Sequence, residues 1–114
     1  MRQRSSQIQQ PVAASGSEIA LHRRAPERRH LVRHAVPCHR GALDVVAEIC
    51  TTMGELGWGP YQNDHEDANG QFEINWNFSD ALTTADQLAF FKFMVKSIAE
   101  KHGLRATFMP KPFI

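Results

Sequence analysis

The sequence predicts a small α+β fold, and three periodicities predict it. Apolar residues recur at helical spacing from Ala42 to Leu56, apolar and polar residues alternate strictly from Gln71 to Phe78, and a longer helical pattern occupies residues 85–102. With 114 residues, 42% of them hydrophobic and 22% charged, the chain has apolar material for one core and an ordinary charge density. The expected order is helix, β-hairpin, long helix and short strand, after an N-terminal stretch without regular elements.

That stretch differs from the rest in composition. Residues 1–17 are polar, lack a sustained hydrophobic period and read as disordered. In residues 18–40 arginine pairs alternate with His30, His34 and His39, and Pro26 and Pro37 interrupt any helix. Residues 1–40 carry eight arginines against Glu18 and Glu27, a net +6, whereas residues 41–114 carry five basic and ten acidic residues, a net −5. A boundary near residue 40 follows, dividing an Arg-rich segment, 1–40, from a structured one, 41–114. The arginines suit polyanions, but the segment has no aromatic residue on which a base would stack, so nucleic acid and membrane are not expected partners. His30, His34 and Cys38 have i, i+4, i+8 spacing, yet Pro37 breaks the helix that would align them on a metal. No apolar run reaches the roughly 18 residues of a membrane helix. Two cysteines make a disulfide framework improbable, and a reducing cytoplasm is the simplest setting.

The first helix is predicted from Ala42 to Leu56, with Val45, Val46, Ile49, Cys50 and Met53 inward and Gly57 and Gly59-Pro60 ending it. In the strand, Phe72, Ile74, Trp76 and Phe78 share one face, and Gln71, Glu73, Asn75 and Asn77 the other. Ser79 to Thr84 supply turn and N-cap residues, with Thr84 and Gln87 matching a capping box. The long helix sends Leu88, Phe91, Val95 and Ile98, with Phe90 and Met94, toward the core. It closes on Lys101, His102 and Gly103, and Ala106 to Met109 form the last strand.

Between the first helix and the alternating strand lies the segment Asp64-His65-Glu66-Asp67-Ala68-Asn69-Gly70-Gln71-Phe72-Glu73. Asn-Gly is the preferred pair for a two-residue type I′ turn, because both central residues need positive φ. A turn at Asn69-Gly70 sets Glu66 opposite Glu73 and Asp64 opposite Asn75, with Gln62 and Asn77 on the same face. Facing carboxylates repel at a Cβ separation of about 5 Å. A hard divalent cation such as Mg²⁺ or Mn²⁺ converts that repulsion into chelation. A water-separated polar face and a pair sharing one proton remain open alternatives.

At these residues the chain resembles a known family. The stretch NDHEDANGQFEINW is similar to the glutamine synthetase motif H-H-E-(x)-A-x-G-Q-x-E. TADQLAFFKFMVKSIAEKHGLRATFMPKP is similar to the helix and strand that follow it, and VVAEICTTMGELGWGPYQ to the segment before it. The likeness is greatest to the branch holding type III-like and γ-glutamylmethylamide synthetase enzymes, where Asp64-His65 stand in place of paired histidines. It begins near Gly41 and covers a small part of a family enzyme. The chain therefore reads as a fragment of the catalytic domain, inactive by itself. Residues 1–40 read as a non-family segment, of the composition that out-of-frame translation of a GC-rich gene gives.

The resemblance implies that Glu66 and Glu73 bind a metal beside the substrate glutamate and that Phe78 contacts the nucleotide. No catalytic residue is assigned. It further implies an ATP-dependent ligase that activates glutamate as γ-glutamyl phosphate and passes it to ammonia or an amine, with Mg²⁺ or Mn²⁺, in a homo-oligomer. The alternative reading is a non-catalytic small protein that binds metal or a partner.

Overall fold

A computed structural model describes residues 16–23, 40–66 and 70–109. The elements run β1 (Gly16–Arg23), α1 (Arg40–Glu55), β2 (Pro60–His65), β3 (Gln71–Trp76), α2 (Ala81–Lys101) and β4 (Leu104–Thr107). The four strands form one antiparallel sheet in the order β2-β3-β1-β4. One face is apolar and carries both helices; the other is polar. The α+β expectation therefore holds.

Sequence period explains the two layers. On α1, Ala42, Val45, Val46, Ile49 and Met53 are buried, the i, i+3, i+4 stripe of an amphipathic helix. On α2 the buried stripe is Phe91, Met94, Val95, Ile98 and Ala99. Between them the sheet contributes Ile19, Leu21, Phe72, Ile74, Trp76 and Leu104. Trp76 anchors the centre, its ring centroid 5.1 Å from that of Phe91 and 6.1 Å from that of Trp58.

Strand β1 corrects the reading of residues 1–40 as devoid of regular structure. It lies inside the sheet, between β3 and β4. Its short alternating core, Ile19 and Leu21 inward with Ala20 between them, is masked in sequence by the arginines that follow it. These two inward positions hold β1 between β3 and β4, a pairing that local propensity does not register. His30, His34 and Cys38 lie outside the described residues.

Boundaries shift in ways that capping explains. Helix α2 starts at Ala81, one turn before the expected box, because Asp80 accepts hydrogen bonds from the N–H groups of Leu82 (3.1 Å) and Thr83 (3.0 Å). Thr84 is buried instead, its hydroxyl 2.9 Å from that of Ser79, and Gln87 accepts from the Trp76 indole N–H at 3.2 Å. Strand β4 begins at Leu104 and ends at Thr107, two residues before the expected Met109, which is exposed. Phe90, expected inward, is half exposed and packs edge-on to Trp58. With Leu82 and Phe93 it forms a second, exposed apolar stripe on α2, which meets the buried one along its edge at Phe90.

Candidate metal centre

The hairpin register differs from the one the Asn-Gly pair predicts. Cα partners are His65 with Phe72, Asp64 with Glu73, Asn63 with Ile74 and Gln62 with Asn75. Beyond them the Glu66 N–H donates to the Gln71 carbonyl at 2.9 Å. Four residues, 67–70, thus separate the last pair where a two-residue turn was expected. Asn69 lies outside the described residues, and Gly70 has φ 76°.

Both ends of the hairpin set this register. At the turn, the Leu21 N–H of β1 donates to the Gly70 carbonyl at 2.7 Å, so Gly70 is drawn into contact with the neighbouring strand. At the far end, the Asn77 N–H donates to the carbonyls of Gly59 (3.1 Å) and Trp58 (3.3 Å), and the pairing slips by one residue between Pro60 and Gln62. The slip leaves Tyr61 as the extra residue of a bulge. Gly59 sits at φ 64°, where a Cβ would run into the Asn77 side chain. These contacts outweigh the intrinsic preference of Asn69-Gly70.

A shift of two residues keeps side-chain parity, because strand side chains repeat with period two. Gln62, Asp64, Glu66, Gln71, Glu73 and Asn75 therefore still share the polar face. What changes is who faces whom. Glu66 stands diagonal to Glu73, at a Cβ separation of about 7 Å, and the residue directly opposite Glu73 is Asp64, at about 5 Å. On its other side Glu73 is opposed in backbone register by Glu18 of β1. Neither Asp64 nor Glu18 was expected to neighbour Glu73. The alternation of Glu18-Ile19-Ala20-Leu21 is the only local signal that points to the latter.

Two amides from the same face hold these carboxylates. Gln62 Nε2 donates to Asp64 Oδ2 at 2.5 Å, and Asn75 Nδ2 donates to Glu73 Oε1 at 2.7 Å. Each amide lies two residues from its carboxylate along the strand, so the period-two alternation that forms the face also supplies the donors. Glu73 is half-buried between β2 and β1, while Asp64 on the edge strand is exposed. His65 takes no part on this face. Its ring packs edge-on against Phe72 on the helix side, centroids 5.3 Å apart.

The donor set is all oxygen and anionic, the chemistry that suits Mg²⁺ or Mn²⁺. Among the described residues, no three His, Cys, Asp or Glu side chains converge closely enough to hold an ion by themselves. Mg²⁺ commonly takes one or two carboxylates and completes its shell with water and phosphate, so Glu66 and Glu73 fit that mode of binding. Phe78 is exposed and follows the far end of β3. Five residues separate it from Glu73, roughly 16 Å at about 3.3 Å per extended residue.

The architecture is an antiparallel sheet backed by two helices, with a carboxylate hairpin on its open face. The glutamine synthetase catalytic-domain family model matches residues 2–114, and the chain belongs to that family. The match runs across the boundary placed near residue 40.

Among relatives, the glutamine synthetase of Rhizobium meliloti (strain 1021) is 81% identical over 70 residues, 61% of this chain and 16% of that protein. The glutamate–methylamine ligase of Methyloversatilis universalis is 55% identical over 65 residues, 57% of this chain and 15% of that protein. The chain thus spans about one-sixth of the length of these relatives. A solved GmaS/ADP complex superposes with a TM-score of 0.68 at 60% identity, covering 86% of this chain and 24% of that one. Plasmodium falciparum glutamine synthetase shares the fold, with a TM-score of 0.71 at 17% identity over 88% of this chain and 26% of that one. Among the described residues no helix is long and apolar enough to cross a membrane.

Proposed function

We propose that this chain is the metal-holding hairpin unit of an ATP-dependent glutamate–ammonia, or glutamate–amine, ligase, and that by itself it is inactive. The observation that carries the reading is the polar face of β2 and β3, where Glu66 and Glu73 keep a shared side despite the two-residue register shift. In the reaction proposed, the γ-carboxylate of glutamate attacks the terminal phosphorus of ATP and ADP leaves. Ammonia or an amine then displaces phosphate from γ-glutamyl phosphate, giving glutamine or a γ-glutamylamide. A divalent cation in this site supplies charge neutralisation for the phosphates.

The chain's own residues have separable roles. Glu66 and Glu73 offer the ligating carboxylates. Asn75 orients Glu73 through its 2.7 Å hydrogen bond, and Gln62 does the same for the neighbouring Asp64. Phe78 presents an exposed ring on which a nucleotide base can stack.

Two measurements test this. Purified chain given ATP, glutamate and Mg²⁺ should release no phosphate above background, and robust turnover would refute the inactivity. Replacing the matching 70 residues of the Rhizobium meliloti glutamine synthetase with those of this chain should retain ligase activity. Loss of activity in a folded chimera would refute the functional assignment.

A second reading, a non-catalytic protein that binds metal or a partner, has one observation in its favour. The second apolar stripe on α2, Leu82, Phe90 and Phe93, is exposed and suits a protein partner. The chimera separates the two readings.

A further inference from the structure

Helix α2 carries a second seam besides the one that faces the sheet. Leu82, Ala89 and Lys96 lie seven residues apart, and Asp86, Phe93 and Glu100 repeat that interval four positions later. Two such rows make one continuous strip along a helix, the pattern by which helices pair. All six residues are exposed, on the side of α2 away from the buried Phe91, Val95 and Ile98. Phe90 borders the strip, its ring centroid 6.3 Å from that of Phe93. We propose that this strip joins two copies of the chain, with their α2 helices antiparallel about a twofold axis.

Charge and size select both the partner and its direction. Antiparallel helices meet in layers that set one row against the other. With the axis at the level of Phe91, Ala89 faces Phe93 of the second copy, Asp86 faces Lys96 and Leu82 faces Glu100. Each layer occurs twice, because a twofold contact is self-complementary. A small side chain thus receives the large ring opposite it, and both Asp86–Lys96 layers bring opposite charges together. The end layers lie at the rim, where the Glu100 carboxylate keeps its water. Parallel helices would instead stack Asp86 on Asp86, Lys96 on Lys96 and Glu100 on Glu100, so like charges oppose that arrangement.

The area fits a weak dimer. Leu82 is 73% exposed, Phe93 68% and Phe90 48%, which at about 200 Å² for a whole aromatic side chain leaves roughly 350 Å² of apolar surface in one patch. The largest patch on an ordinary monomer covers about 300–600 Å² and is often functional. Two copies, with the polar residues of the strip, bury about 1,000 Å² in total, the lower bound for a specific contact. The strip and the carboxylates lie on opposite sides of the sheet, so the inference is independent of the metal reading.

Sedimentation equilibrium of the full chain, from about 5 µM to about 1 mM, should give a monomer–dimer equilibrium with a Kd of about 10–500 µM and no larger species. Phe93→Ser should weaken it about tenfold or more. Asp86→Lys and Lys96→Glu should each weaken it about five- to thirtyfold. The double variant, which restores opposite charges across the axis, should return to within about threefold of the wild type. The three positions are exposed, so the circular dichroism of each variant should match that of the wild type. A chain that stays monomeric at about 1 mM, whether or not it binds the Rhizobium meliloti glutamine synthetase, would overturn the proposal. So would association that continues past two copies, or a double variant no tighter than the single ones. Should Phe93→Ser not fold, the charge-reversal series decides alone.

Discussion

Glu73→Gln should move stability and metal affinity in opposite directions. The substitution keeps an oxygen where Glu73 Oε1 accepts from Asn75 Nδ2, so the orienting hydrogen bond survives and only the charge is lost. Glu73 stands directly opposite Asp64, where like charges destabilise an antiparallel pair by about 0.2–1 kcal/mol. Without metal, the variant should therefore be more stable by about 0.5 kcal/mol, roughly 2–4 °C in Tm for a unit of this size. With Mn²⁺ at about a hundred times its Kd, the wild type gains about 2.7 kcal/mol, or roughly 10–20 °C. The variant should gain almost none of it, since even groups that only support a ligand are worth about 10–100-fold in affinity. Thermal melts of both proteins, with and without Mn²⁺, should cross: variant higher without metal, wild type higher with it. An unchanged Mn²⁺ titration would refute the ligand assignment. A metal-free variant that melts lower would refute the repulsion between Asp64 and Glu73.

Three further outcomes test the frame around the site. Gly59→Ala forces a Cβ into the Asn77 side chain at a φ of 64°; it should cost about 1–3 kcal/mol, read by urea denaturation, and a cost below about 0.5 kcal/mol would refute that pin on the register. Phe91→Ala empties a fully buried position between Trp76 and Phe108. The expected cost of about 3–5 kcal/mol rivals the stability of a small domain, so near-ultraviolet circular dichroism should lose its cooperative transition. Acid should destabilise the fold as pH falls below the ordinary carboxylate values, 4.5 for Glu48 and 3.8 for Asp80. Both groups are held lower in the folded chain, Glu48 by His102 first and Asp80 by Thr83 first, so each stabilises above its unfolded value and stops doing so as pH falls through its folded one. Acid titration of Asp80→Asn should show a shallower loss, and an identical profile would refute the contribution of the cap.

The parts of the fold legible in sequence were those fixed by local period. The stripe of α1, the alternation of β3 and the buried stripe of α2 each repeat often enough to outweigh chance, and each packs as its period requires. The misses arose where a distant partner decides. Strand β1 exists because β3 and β4 flank it, and only Ile19 and Leu21 mark it as apolar. The N-cap moved to Asp80 because an aspartate one turn earlier satisfies two N–H groups, leaving Thr84 free to be buried. Phe90 looks like a core residue by composition, yet it lies on the edge of the stripe and reaches only the rim formed by Trp58.

The hairpin shows why a candidate site survives an error in register. Turn preference favours a two-residue loop, but the Gly70 carbonyl bonds β1 at one end and the Asn77 N–H bonds Gly59 at the other, and neither constraint lies in the turn dipeptide. Together they move the pairing by two residues. A shift of one would have turned the β2 carboxylates, Asp64 and Glu66, to the helix side, away from Glu73. A shift of two exchanges neighbours within one face, replacing Glu66 by Asp64 opposite Glu73. The face is therefore specified by burial, with Phe72, Ile74 and Trp76 fixing which side is out. The pairing upon it is specified by contacts at the two ends. Alternation thus names the face that carries Glu66 and Glu73, while the turn residues, which set the two directly opposite each other, misplaced their alignment.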